Sequence, residues 1–253
     1  MSLNNQLRTT FNSIACTYDD VAIVPHEIGV RLLEQLQFLT MKPLMILDLG
    51  CGTGSISVAL KKLYPKAMIV GLDYSHEMLN QAQSKQNFIK KWSLVGADIN
   101  HLPFGADCFD LIIANQVIGF SQDMPHLFSE LYRVLKVNGC LMFSTLGPDS
   151  FQEIHPLIPE EKTTFLDMHL VGDALLKEQF IDPVVDTEYL TAQHTSLERM
   201  TKALQAYGLK PDLKQNNNLT YEIIYGHAWK GAARQISSGN ETFIPISSLM
   251  GRR

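Results

Sequence analysis

The chain has 253 residues, 45% apolar and 19% charged, with a formal net charge of −5. That length suits one large domain with a full core, and the apolar content argues against disorder. The negative balance argues against a general nucleic-acid binder, which needs a phosphate-tracking surface. The charge is uneven, however: residues 196–253 carry eight Lys/Arg against four Asp/Glu, leaving that segment at +4 and the remainder at −9. A surface of that sign is either a solvated face or a local dock for an acidic partner. Four cysteines (Cys16, Cys51, Cys108 and Cys140) lie far apart without a CxxC pair, which predicts a reduced, cytoplasmic, metal-free protein. The polar start MSLNNQLRTTF lacks a signal-peptide core. No apolar run approaches the roughly 18 residues needed to cross a bilayer, so no membrane association is expected.

Apolar spacing at Ile28, Leu32, Leu36 and Leu39 predicts a helix over 26–39. LMILDLG (44–50) is an apolar strand ending in glycine, and Ile56, Ala59, Leu60 and Leu63 then mark a helix over 55–64. A second strand, AMIVGLD (67–73), leads to Ser75 as N-cap of a helix over 76–86. SLVGAD (93–98) and FDLIIAN (109–115) are the third and fourth strands. A helix opens near Pro125 and ends at Asn138-Gly139, and CLMFSTL (140–146) is the fifth strand. Beyond it, GPDS (147–150) reads as a turn, 166–180 as a helix, 184–194 as a strand, 196–207 as a helix and 219–230 as a final strand. Apolar strands alternating with amphipathic helices predict an α/β fold, a doubly wound and mostly parallel sheet covered on both faces.

The strongest local signal is ILDLGCGTG (46–54), set between a strand and a helix. Gly50, Gly52 and Gly54 allow close backbone approach to a ligand and a sharp entry into the helix. The spacing is G-x-G-x-G, and Asp48 precedes the first glycine by two residues. An acid there suits a ligand with a positive end, an ammonium or a sulfonium, better than a pyrophosphate. Asp73 ends the second strand, where a carboxylate accepts hydrogen bonds from a ribose diol in nucleoside-binding sheets. Asp98, followed by Ile99, closes the third strand and can accept from an adenine amino group. Three acids at successive strand ends, where such sheets bind ligands, form one constellation.

ILDLGCGTG, GLDYSHEML, ADINHLPF, DLIIAN and ELYRVLKVNG occur in the order that characterises class I S-adenosylmethionine-dependent methyltransferases, which residues 44–146 resemble. The resemblance implies a seven-stranded Rossmann-like sheet whose last strand is antiparallel. It implies S-adenosyl-L-methionine as cofactor and S-adenosyl-L-homocysteine as product. It places Asp48 and Gly50 at the amino-acid part, Cys51, Gly52 and Gly54 in the same cofactor-binding turn, and Tyr74 and Met78 near the ribose and adenine. Asn115 and Gln116 then flank the methionine end. The flanking segments FNSIACTYDDVAIVPHEIGVRLLEQL, FSTLGPDSFQEI, FLDMHLVGDALL, DPVVDTEYLT and YEIIYGHAW extend the likeness to the BioC-type malonyl-acyl carrier protein O-methyltransferases of biotin synthesis.

That narrower resemblance implies methylation of the free carboxylate of a malonyl thioester on acyl carrier protein, and hence the carrier's malonyl-phosphopantetheine as partner. A carboxylate is already ionised near pH 7, so the reaction needs positioning and desolvation rather than a general base. Tyr18, His169 and Arg31 are candidates to position the acceptor, and Thr145, Asp149 and Ser150 are candidates for a wall of its site. Arg133 and His227 are read as structural. The basic residues of 196–253 are candidates for docking the acidic carrier. One domain is expected: a helical cap (1–40), a cofactor-binding core (41–146), a small helical substrate lobe (147–182), C-terminal strands and helix (183–230) and a tail (231–253). Two other readings stay open: a methyltransferase for another small acceptor, such as a quinone precursor or other free acid, and a non-catalytic carrier-binding relative.

Overall fold

The computed structural model describes residues 3–87, 91–158, 165–209, 213 and 218–232. Seven strands form one sheet: β1 (Met45–Leu49), β2 (Met68–Asp73), β3 (Ser93–Gly96), β4 (Phe109–Asn115), β5 (Leu135–Leu146), β6 (Phe180–Gln193) and β7 (Asn218–Lys230). Their spatial order is β3-β2-β1-β4-β5-β7-β6. The pairs joining β3, β2, β1, β4 and β5 are all parallel, whereas β7 runs antiparallel to both of its neighbours, β5 and β6. This is the mixed seven-stranded, Rossmann-like sheet expected from the sequence.

The apolar runs are continuous because both faces are covered. Successive residues point to opposite sides of the pleat. Ile46, Leu111 and Ile113 therefore join Ile28, Leu32 and Leu60 on one face, while Leu47, Ile112 and Leu141 join Leu127, Leu131 and Leu175 on the other. On the first face lie α3 (Ile23–Gln35), α4 (Ser55–Leu63) and α8 (Leu197–Gln205); α6 (Met124–Val134) and α7 (Met168–Lys177) cover the second. Between β2 and β3 runs α5 (His76–Ser84), and α1 (Leu3–Ile14) and α2 (Tyr18–Val21) precede α3. Helix starts follow capping chemistry: Ser75, Asp123, Asp167 and Ser196 each accept a backbone N–H of the first turn. Among the described residues no helix is long and apolar enough to cross a membrane.

Three expectations are corrected. Asn138-Gly139 does not terminate a helix: α6 ends at Val134, and Leu135 already pairs with Phe109. The register shifts before Leu111 meets Cys140, and Asn138 takes φ +62 inside β5. Turn chemistry has been used here for a bulge within a strand. The helix expected over 166–180 stops at Lys177, and β6 begins four residues earlier than expected, at Phe180. Finally, GPDS is an anchor to β7. The Gly147 and Asp149 amides donate to the carbonyl and the Oε2 of Glu222 at 2.8 and 2.7 Å, and Ser150 Oγ bonds the Glu222 backbone. Residues 233–253 of the expected tail lie outside the described residues.

Candidate cofactor and acceptor site

A cavity of about 590 Å³ opens at the C-terminal ends of β1, β2 and β4, where open α/β sheets hold their ligands. Its floor and walls include Asp48, Gly50, Cys51, Gly52, Asp73, Tyr74, Met78, Asp98, Ile99, Asn115 and Gln116, with Tyr18 above them. These residues are brought together by the topology, because β1 lies between β2 and β4 although 18 residues separate it from the first and 59 from the second.

The turn from β1 into α4 is built on left-handed backbone, with Gly50 at φ +65, Gly52 at +51 and Gly54 at +81. A Cβ on Gly50 would lie 2.4 Å from Val117 Cγ2, so only glycine fits beneath the cavity there. Gly54 differs from the expectation of a ligand-facing glycine. It is absent from the lining, and a Cβ on it would meet Ala82 and Trp92; its role is the tight entry into α4.

The acids are held firmly. Asp73 accepts the Gly52 amide at 2.9 Å and the Ser75 amide at 2.8 Å, while burial pushes its carboxyl above the usual range. Asp48 is only 1% exposed. Burial raises its carboxyl to about 7, against the 2.5 Å hydrogen bond donated by Ser57 Oγ and with the help of the nearby Asp73 charge. A buried and a half-buried acid whose charges act on each other favour a ligand bearing hydrogen-bond donors and positive charge. Asp98 Oδ1 accepts both the backbone and side-chain N–H groups of Asn100 at 2.9 and 3.0 Å. At the end of β4, Asn115 donates to the Pro25 carbonyl at 3.0 Å and accepts from Ser144 Oγ at 2.8 Å. Gln116 follows at φ +56; its Nε2 is buried and has no hydrogen-bond partner among the described residues.

The first two helices roof the cavity, with Leu7, Arg8, Phe11, Tyr18 and Asp19 in the lining. Arg8 sits 5.3 Å from the centroid of the Tyr74 ring, and Phe11 meets Phe120 edge-on at 5.5 Å. Asn12 Oδ1 accepts from Ser75 Oγ at 2.6 Å. Asp19 accepts from Thr53 Oγ1 at 2.5 Å and pairs with Lys85 at 2.6 Å, tying α2 to the glycine turn. Burial, then the Asp73 and Asp19 charges, holds the Tyr18 phenol well above its usual range, so it stays a protonated donor. Sequence reasoning missed Arg8, Phe11 and Asp19 as lining residues. The spacing of Leu7, Phe11 and Ile14 was the available signal for an amphipathic roof helix.

Other candidates lie elsewhere. The Arg31 guanidinium is outside the cavity lining and is bound by Glu27 at 2.8 Å and by Glu188. His169 follows the N-cap Asp167, its side chain 82% exposed and its Nδ1 3.3 Å from that carboxylate. Thr145, Asp149 and Ser150 do not line the cavity, nor does any other described residue of 147–182. Arg133 is bonded to Glu130 and to the Phe104 and Leu102 carbonyls, and His227 sits within β7. Of the basic residues in 196–253, Lys202 pairs with Glu198 at 2.6 Å. Lys230 is buried against Asp107 and the Leu135 carbonyl. Lys210, Lys214, Arg234, Arg252 and Arg253 lie outside the described residues. Among the described residues no cluster of three His, Cys, Asp or Glu side chains is placed to hold a metal ion.

A family model described as a methyltransferase domain matches residues 42–236. A malonyl-acyl carrier protein O-methyltransferase of Legionella pneumophila is 42% identical, the match covering 99% of both chains. The enzyme of that name from Methylovorus sp. is 34% identical over 90% of each. Among solved structures, phosphoethanolamine N-methyltransferase 2 of Haemonchus contortus superposes with a TM-score of 0.67 at 18% identity, covering 92% of this chain and 61% of that one. A possible histamine N-methyltransferase from Thermotoga maritima gives 0.59 at 18% identity, covering 88% and 99%. At such identities the structural matches speak for the fold alone.

Proposed function

We infer that this chain, which belongs to the malonyl-acyl carrier protein O-methyltransferase family, methylates the free carboxylate of a malonyl thioester on acyl carrier protein. The product is the malonyl methyl ester that primes pimeloyl synthesis for biotin. The observation that carries the reading is identity of 42% along 99% of the chain to an enzyme of that name.

The cavity fits S-adenosylmethionine by its donor set. Asp73 is placed for the ribose diol and Asp98 for the adenine amino group. Asp48, with Gly50, Cys51 and Gly52, is placed for the ammonium end, and Tyr74, Met78 and Ile99 for contact with the nucleoside. Asn115 closes the methionine end. When bound, S-adenosylmethionine supplies an electrophilic methyl group and leaves as S-adenosylhomocysteine. The protein's own task is positioning. The roof of α1 and α2 excludes water from the acids beneath, and Tyr18 offers a neutral hydroxyl near the acceptor. No side chain has to remove a proton, because the acceptor carboxylate is ionised at neutral pH. His169 and Arg31 have no part in this assignment. A cytoplasmic setting belongs to the same proposal, supported by four free cysteines, two of them buried.

The experiment is to incubate the protein with S-adenosylmethionine and malonyl-carrier protein and weigh the intact carrier. Gain of one methyl group on the malonyl moiety is the expected result; no gain, with methylation of a different acceptor, overturns the reading.

A further inference from the structure

We propose that the Gln116 amide holds the acceptor carboxylate, so that a neutral donor rather than a cation positions the nucleophile; this deepens the methyl-transfer reading above and rests on it. Gln116 lines the cavity immediately after β4, at the end opposite Tyr74. β1 lies between β2 and β4, so the two ends are separated by two strand spacings, roughly 10 Å. Its left-handed backbone, φ +56, is uncommon outside glycine. That conformation is fixed by its N–H, which donates to the Ser144 carbonyl and Oγ at 3.0 and 3.1 Å. A constrained backbone thus aims a side chain whose Nε2 is buried and unpartnered among the described residues. Buried donors are almost always paired, and the residue that carries this one lines the cavity.

The cations of the neighbourhood are committed elsewhere. Arg8 lies over the Tyr74 ring, beside the acids. Lys85 is held by Asp19, Thr53 and Ser55. Arg31 is held by Glu27 and Glu188 outside the cavity, and His26 is an exposed residue of the rim. Asp48, Asp73 and Asp98 repel a carboxylate from the remaining walls. Near the end of β4 the available donor is neutral: the Gln116 amide.

A neutral donor also suits the reaction. A carboxylate oxygen forms the new C–O bond as the methyl–sulfur bond breaks; the electron pair passes to sulfur and no proton moves. Opposite charges vanish along this path, so a tight guanidinium pair would stabilise the starting carboxylate more than the transition state. A single amide N–H orients the oxygen and leaves it nucleophilic.

The test pairs Gln116→Leu with Gln116→Glu. Both are expected to bind S-adenosylmethionine within about twofold of the native affinity by calorimetry, which also reports folding. The Michaelis constant for malonyl-carrier protein is expected to rise about 10- to 100-fold, with a smaller change in kcat, and more for Glu, whose charge repels the acceptor. Acetyl-carrier protein, which lacks the carboxylate, is expected to compete equally well against native and Leu forms. If Gln116→Leu fails to fold, the near-isosteric Gln116→Glu alone decides. A weakened cofactor with an unchanged carrier constant, or no change in either, overturns the inference. Absence of methylation by the native chain overturns the function and the inference together.

Discussion

Asp48→Asn isolates the buried acid set to titrate near neutrality, at about 7. In an unfolded chain the same carboxyl titrates near 3.8. The native state therefore binds more protons between these values, and Asp48 makes the unliganded protein less stable as pH rises from about 4 to about 7. A cationic ligand group beside Asp48 reverses that preference and draws the carboxylate into its ionised form. At pH 6, one unit below the native value, about nine-tenths of the carboxyls are protonated, so binding S-adenosylmethionine should expel about 0.9 proton from this group. Near pH 9 the figure falls to about zero, and below pH 7 affinity should drop about tenfold per unit. Asn keeps the shape and can still accept from Ser57 Oγ, but it cannot titrate. The expected result is weaker binding with this proton release abolished. Calorimetry at pH 6 in two buffers of different ionisation enthalpy measures the protons directly. Equal enthalpies in both buffers for the native protein would refute the reasoning.

Asp19→Ala cuts the tie from α2 to Thr53 and Lys85. Because the pair is partly exposed, the change should cost no more than about 1 kcal/mol in global stability, while amide exchange in α1 and α2 and the dissociation rate of S-adenosylmethionine rise several-fold. Hydrogen exchange and stopped-flow release measure these, and an unchanged release rate would show that the roof is held by other contacts. Tyr221 is fully buried with a hydroxyl that lacks a partner among the described residues. Tyr221→Phe should therefore raise stability by about 1 kcal/mol in denaturant unfolding, and a loss of that size would mean that an ordered water satisfies the oxygen.

The sheet and the glycine turn were legible because their signals are local. β4 falls at 109–115 as its apolar run predicts, and Ser75 caps α5 as its position suggests. Asp73 and Asp98 could be placed from sequence because strand ends in such sheets converge on one edge. The acceptor side was not legible. His169 was a candidate for the acceptor, yet it stands in the first turn behind the N-cap Asp167 and faces solvent; capping and binding segments use the same residue types. Asp149 and Ser150 answer to Glu222, more than 70 residues later, a partner that no local pattern announces. Arg31 needed knowledge of Glu188 on β6. Gln116 could be placed beside the site, but its unpaired amide depends on the packing of Ser144 and the roof.

β7 lies inside the sheet although it is the last strand among the described residues. It pairs with β5 from Cys140 to Leu146 and with β6 from Phe180 to Gln193, apart from one irregularity, and it anchors the segment after β5 through Glu222. On the ribosome, a nascent chain that has emerged only as far as Gln193 therefore presents β5 as an open edge and gives β6 no neighbour. The strand pairs beneath the glycine turn can form earlier, since β1 to β4 find all their sheet partners among β1 to β5. Pairing is thus vectorial: the strands under the nucleoside half can join while their outer helices α7 and α8, and the β7 ladder, wait for later synthesis. In that interval the unfinished edge is the surface that a chaperone would have to shield.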